Sequence, residues 1–168
     1  MLARVLVMTA LLAGEDEPQL PKNVIVADVG LHVVGLGYQR NLTPQLAVQL
    51  TASLYVPWTQ SAVGVESTQV AGLIGRLRLF VYPQAQAPRG FWLSPFVQAG
   101  AANETRDGAV QRGVVWAAGA SAGWAWLPWN RLHLALGFGV QYHWAKFPAG
   151  PGFGRFWPQI DGSVGFAL

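Results

Sequence analysis

Residues 131–144 read Arg-Leu-His-Leu-Ala-Leu-Gly-Phe-Gly-Val-Gln-Tyr-His-Trp. The even positions, Leu132, Leu134, Leu136, Phe138, Val140, Tyr142 and Trp144, are all apolar or aromatic. The odd positions, Arg131, His133, Ala135, Gly137, Gly139, Gln141 and His143, are polar or small. A period of two sustained this far predicts an extended strand with one wholly apolar face. Tyr142 and Trp144 cap that face, and amphipathic rings of this kind settle at a lipid–water boundary. Such a strand fits a transmembrane β-barrel, apolar outside and polar inside.

The composition agrees. Charged residues make up 11% of the 168 residues, against 8 Trp and 20 Gly. Soluble domains average roughly a quarter charged. No apolar run reaches the length of a membrane-spanning helix, so strands must do any crossing. A net charge of +3 is too small to argue for nucleic acid. The chain has no Cys, which removes disulfides and thiolate metal sites. Residues 1–14 carry one early cation, an apolar core and small residues at the end, the layout of a secretory signal peptide. Glu15, Asp16 and Glu17 follow, and Pro18 and Pro21 make 15–22 a linker. The rest, 23–168, reads as a single β-barrel domain.

The same alternation predicts strands at 45–58, 69–82, 91–102, 113–126 and 155–168, besides the one quoted. Their outward parity holds no charged residue, as a lipid-facing surface demands; Lys or Arg there costs about 2–4 kcal/mol at the midplane. A soluble barrel would be wired the other way, apolar within and charged without. Pro95, on the apolar parity, predicts a local bulge or a strand end. Across 23–42 the phase flips near Val33, which a bulge or a turn between two short strands would each produce. Connections alternate in length: short at 41–44, 83–90 and 127–130, long at 57–68, 103–112 and 145–154. With short turns on the periplasmic side and the C-terminus there too, 33–42 needs an outward-running strand before it, and 23–31 is the candidate, though one bulged strand over 23–42 stays the alternative. The expected fold is therefore all-β, an up-and-down antiparallel transmembrane barrel of eight strands.

This rhythm, with the ending Val164-Gly-Phe-Ala-Leu168, resembles the small eight-stranded bacterial outer-membrane barrels of the OmpA/OmpX-like kind. The resemblance covers about 23–168. It implies a place in the bacterial outer membrane and contact with its lipid, lipopolysaccharide included. It also implies that Val164, Phe166 and Leu168 form a C-terminal assembly signal read by the barrel-insertion machinery. The usual terminal aromatic is displaced here to Phe166.

The inward parity gathers Arg76, Arg78, Asp161, Asp28, His32, His133 and His143. Eight strands leave an interior that side chains just fill, and buried charge must be paired. Asp161 is thus expected to pair with Arg76, Arg78 or both, with the interior glycines of 113–126 and 131–144 making room for the guanidinium arms. The lumenal polar network, Arg76, Arg78, Asp161, Asp28, His32 and His133, is read as structural. Trp58, Trp126, Tyr142 and Trp144 are expected at the membrane interfaces. His133 and His143 lie too far apart on one strand to share a metal, and no Ser or carboxylate is placed beside His143 for a triad. No catalytic, cofactor or metal residue is assigned. The expected function is a non-enzymatic outer-membrane barrel with a structural, adhesive or lipid-interacting role. The alternatives are a narrow pore or small-solute channel, and a lipid-modifying barrel enzyme.

Overall fold

The computed structural model describes residues 20–56, 69–84, 86–106, 108–148 and 153–168. The predicted signal peptide at 1–14, most of the linker, Trp58 and the 57–68 connection lie outside them. The described chain is a closed barrel of eight antiparallel strands, each paired with its neighbours in sequence and the last with the first. They are β1 (Asn23–Gly30), β2 (Val33–Asn41), β3 (Leu46–Tyr55), β4 (Gln69–Val81), β5 (Gly90–Arg106), β6 (Ala109–Trp126), β7 (Leu132–Lys146) and β8 (Phe153–Ala167).

The phase flip near Val33 is a turn. Val29 of β1 faces Val34 of β2, and the link between the strands is only Leu31 and His32. Pro95 produces neither bulge nor strand end. The register of β5 is unchanged on both sides of it, and only the pairing with β4 is interrupted there. A proline removes one ladder donor without adding a residue, so the strand survives. Pro158 of β8 is accommodated differently, because pairing with β1 begins only at Asp161.

Two predicted loops are shorter than expected. The charged stretch 103–112 is mostly strand: β5 and β6 stay paired from Gly90–Ala125 up to Arg106–Ala109. Gly108, at φ 77°, supplies the left-handed residue that a tight hairpin needs. Charge marks exposure to water, and a strand rising beyond its neighbours is exposed without ceasing to be a strand. Likewise β7 runs to Lys146 and β8 starts at Phe153.

Closing a sheet requires tilt and stagger, and the pairs display it. One row runs from Gly30, at the loop end of β1, through Asp161, Gly137 and Gly123 to Trp92, at the turn end of β5. Outward side chains form an apolar wall that includes Leu36, Leu50, Leu54, Leu73, Val97, Phe138, Phe156 and Val164, all exposed. Aromatics on this wall sit at both ends: near the loop end Trp116 contacts Tyr142 and Trp144, and Tyr142 meets Phe156 edge-on, while Tyr38, Phe91, Trp124 and Phe166 are exposed near the turn end. Trp126 is exposed near the turn end.

The lumen as candidate functional site

The interior is filled in three layers. At the turn end, Phe80, Tyr82 and Trp92 pack with Ala47, Ala87 and Ala125. Trp92 lies fully buried over two glycines of its own row. A Cβ on Gly123 or Gly137 would overlap its ring. These interior glycines seat an indole, not the arginine arms expected from the sequence. The stagger brings β5's Trp92 level with them, and parity alone does not contain the stagger.

The middle layer is ionic. Arg76 Nη1 donates to Asp28 Oδ2 at 3.0 Å and to Asp161 Oδ1 at 3.4 Å. Arg78 Nη2 donates to Asp161 Oδ2 at 2.9 Å and to Ser121 Oγ at 2.7 Å. Arg76 Nε reaches Gln98 Oε1 at 3.0 Å, and Gln159 Nε2 reaches Asp161 Oδ1 at 2.6 Å. Arg78 Nε donates to Ser94 Oγ at 3.2 Å. All four ionic side chains are 4% exposed or less. Such charges persist in low dielectric only when paired and hydrogen-bonded on most sides. Aromatic faces complete the enclosure: the Arg78 guanidinium stands 4.8 Å from the Phe80 ring centroid and 5.6 Å from that of Phe96, while Arg76 stands 5.5 Å from Phe96.

The third layer closes the loop end. His143 Nε2 is hydrogen-bonded to the Tyr55 hydroxyl at 3.0 Å, and its ring stacks on His32 at 6.0 Å between centroids. Trp157 meets His32 edge-on, and Arg155 lies 4.2 Å above the Trp157 ring. Val33, Ile74, Ala102, Val115 and Ala145 pack around Tyr55. The space between Tyr55, Ile74, Gln98, Val115 and His143 does not admit a water-sized sphere. Burial, then the charge of Arg76, holds the His32 imidazole, which sits in the β1–β2 turn, down to a pKa of about 4.

The structure therefore brings Arg76, Arg78, Asp28 and Asp161 into one network and leaves two predicted members out of it. His32 belongs to the loop-end layer. His133 is buried towards the turn end, and its Nδ1 has no hydrogen-bond partner among the described residues. Phe80, Phe96, Trp157 and the Tyr55–His143 pair are lumenal contacts that the pattern of charged residues does not single out. Their signal was available: each aromatic sits on the polar parity of its strand, where only the lumen can receive it. Among the described residues no cluster of three or more His, Cys, Asp or Glu side chains could hold a metal.

No protein-family model matches the chain, and no curated protein matches it significantly. Among solved structures, it is similar to the crystal structure of the N-terminal β-barrel domain of Pseudomonas aeruginosa OprF. The TM-score is 0.53 at 16% identity, over 88% of this chain and 98% of that one. The fold is a closed eight-stranded β-barrel similar to that of the OprF domain. The strand-by-strand pairing and the closure of β8 on β1 are those expected from the sequence, with the boundaries corrected above.

Proposed function

We propose that this chain is a small barrel of the bacterial outer membrane that acts through its surface, as a structural and lipid-interacting element without enzymatic activity. The observation carrying this reading is the opposition of its two faces: an apolar outer wall and a lumen blocked at three levels. A wall that exposes Leu36, Leu50, Leu73 and Phe156 belongs in hydrocarbon. A lumen whose arginines and carboxylates neutralise one another, between two aromatic layers, is a plug rather than a conduit. In this reading residues 1–14 direct export. Val164, Phe166 and Leu168, exposed at the turn end of β8, present the assembly signal to the insertion machinery. Arg112 and Lys146, exposed near the loop end, meet lipopolysaccharide phosphates.

Planar-bilayer recording tests the reading. The refolded chain inserts without stepwise conductance, and Asp161→Asn does not create a stable open level. Reproducible single-channel steps in the unaltered protein would instead establish the pore alternative.

A further inference from the structure

We propose that the turn end of the barrel is a docking surface for anionic glycerophospholipid headgroups, gathered by an arc of cations and one outward-held tryptophan. The proposal rests on the outer-membrane reading and adds to it a lipid class and a side of the membrane.

Charge is the first observation. Among the described residues, the charged side chains at the turn end are Lys22, Arg40, Arg89 and Arg131, all cations. At the loop end, Glu104 sits among Arg112 and Lys146. The turn-end cations are grouped by topology. Arg131 immediately precedes β7 and its carbonyl accepts the Ala167 N–H of β8 at 2.7 Å. Next comes β1, preceded by Lys22, then Arg40 at the end of β2 opposite Asn23. Lys22, Arg40 and Arg131 are all exposed.

Orientation is the second. Tyr38 and Arg40 share the outward face of β2. Both touch Asn23: the Tyr38 hydroxyl donates to its Oδ1 at 2.6 Å, and Arg40 Nη1 reaches the same oxygen at 3.4 Å. The aromatic ring lies on the apolar wall and the guanidinium just beyond it, the order of a hydrocarbon boundary followed by a phosphate layer.

Backbone strain is the third, and independent of charge. Trp129 adopts φ 54° and Asn130 φ 56°; asparagine enters this left-handed region readily, but a tryptophan there is unusual. The turn is fixed by Asn130 N donating to Leu127 O and Arg131 N to Pro128 O, each at 3.2 Å. Its product is an indole 83% exposed, beyond the ends of the strands and beside Arg131. Among the described residues little covers that indole, and burial in a headgroup layer would. A surface joining an interfacial aromatic to cations that face no carboxylate side chain among the described residues fits a phosphodiester carrying net negative charge, not a zwitterionic one.

The test is lipid selectivity. The refolded chain is placed in phosphatidylcholine vesicles with trace spin-labelled phosphatidylglycerol or phosphatidylcholine, and the motionally restricted fraction is compared. The expected result is a several-fold preference for phosphatidylglycerol that high salt erases. A triple variant, Lys22→Gln, Arg40→Gln and Arg131→Gln, loses the preference while keeping its heat-modifiable gel mobility. Trp129→Ala weakens the preference, and brominated lipid quenches less of its fluorescence than in the parent. Equal association of both lipids would overturn the proposal. So would a preference that survives the triple variant, since that places the site on Arg112 and Lys146. A preference appearing only after Glu15→Gln, Asp16→Asn and Glu17→Gln would also overturn it, by assigning the cations to the chain's own acidic run. Failure to insert into any vesicle would overturn the outer-membrane reading itself.

Discussion

The outer wall and the lumen are made by the same eight strands, one residue apart, yet they obey different rules. The wall needs only a class of residue: Leu50, Leu73, Val97 and Phe138 face outward without requiring particular partners. The lumen needs partners. Arg78 is satisfied by Ser94 of β5, Ser121 of β6 and Asp161 of β8 together, none of them near it in sequence. Substitutions should therefore be graded on the wall by chemistry alone, and in the lumen by what is left behind.

The largest effect is expected at Asp161, which faces two arginines. Asp161→Ala strands Arg78 and half-strands Arg76, and breaking a buried pair costs about 3–5 kcal/mol. Its urea-unfolding midpoint in detergent falls accordingly. Asp28→Ala falls less, because Arg76 keeps Asp161 at 3.4 Å. Equal losses for the two would mean that Asp161 is not the shared partner.

On the wall, Leu77→Arg costs about 2–4 kcal/mol in vesicles and far less in detergent micelles, where the headgroup layer is within reach of a long side chain. A lumenal change carries its loss into both media. A Leu77→Arg loss of equal size in the two would remove the contrast between faces.

Gly137→Ala forces a methyl against Trp92, an overpacking loss of about 1–3 kcal/mol. Combined with Trp92→Leu, the loss shrinks, giving a coupling energy in a double-mutant cycle. Additive losses would show that the glycine serves the backbone and not the indole.

The smallest effect is in pH. His32 is held near pKa 4 in the folded chain, below its unfolded value of 6.5. The unfolded state thus takes up the proton first, so stability is full above pH 6.5 and declines as pH falls towards 4. Between pH 7 and pH 6 the change is under about 1 kcal/mol. His32→Phe makes this part of the curve shallower, and an unchanged slope would assign it to other groups.

This contrast also explains what the sequence discloses. Alternation in 131–144 reveals strand, face and environment, because hydrocarbon selects by class and each residue votes separately. Short and long connections then reveal strand count and direction. Stagger is not written in any one strand, so parity alone does not reveal that Trp92 is seated on Gly123 and Gly137. The charged stretch 103–112 misled for a related reason. Asn103, Glu104, Gln111 and Arg112 reveal contact with water, and a hairpin rising above the barrel mouth satisfies that as well as a loop does. Asp107-Gly108 was the turn signal within it. Paired lumenal charge was foreseeable from burial alone. The division of labour between Asp28 and Asp161 was not, because it depends on which strand lies opposite at which height.

The central claim, that alternate residues meet lipid and lumen, is tested most directly by cysteine scanning of Leu132–Trp144, which the absence of native Cys makes clean. Single cysteines are placed in turn and the inserted protein is treated with a membrane-soluble or a membrane-impermeant maleimide. The account predicts labelling at 134, 136, 138 and 140 by the membrane-soluble reagent only, and protection from both at 135, 137, 139 and 141. Labelling without a period of two, or stronger labelling at the odd positions, would contradict it.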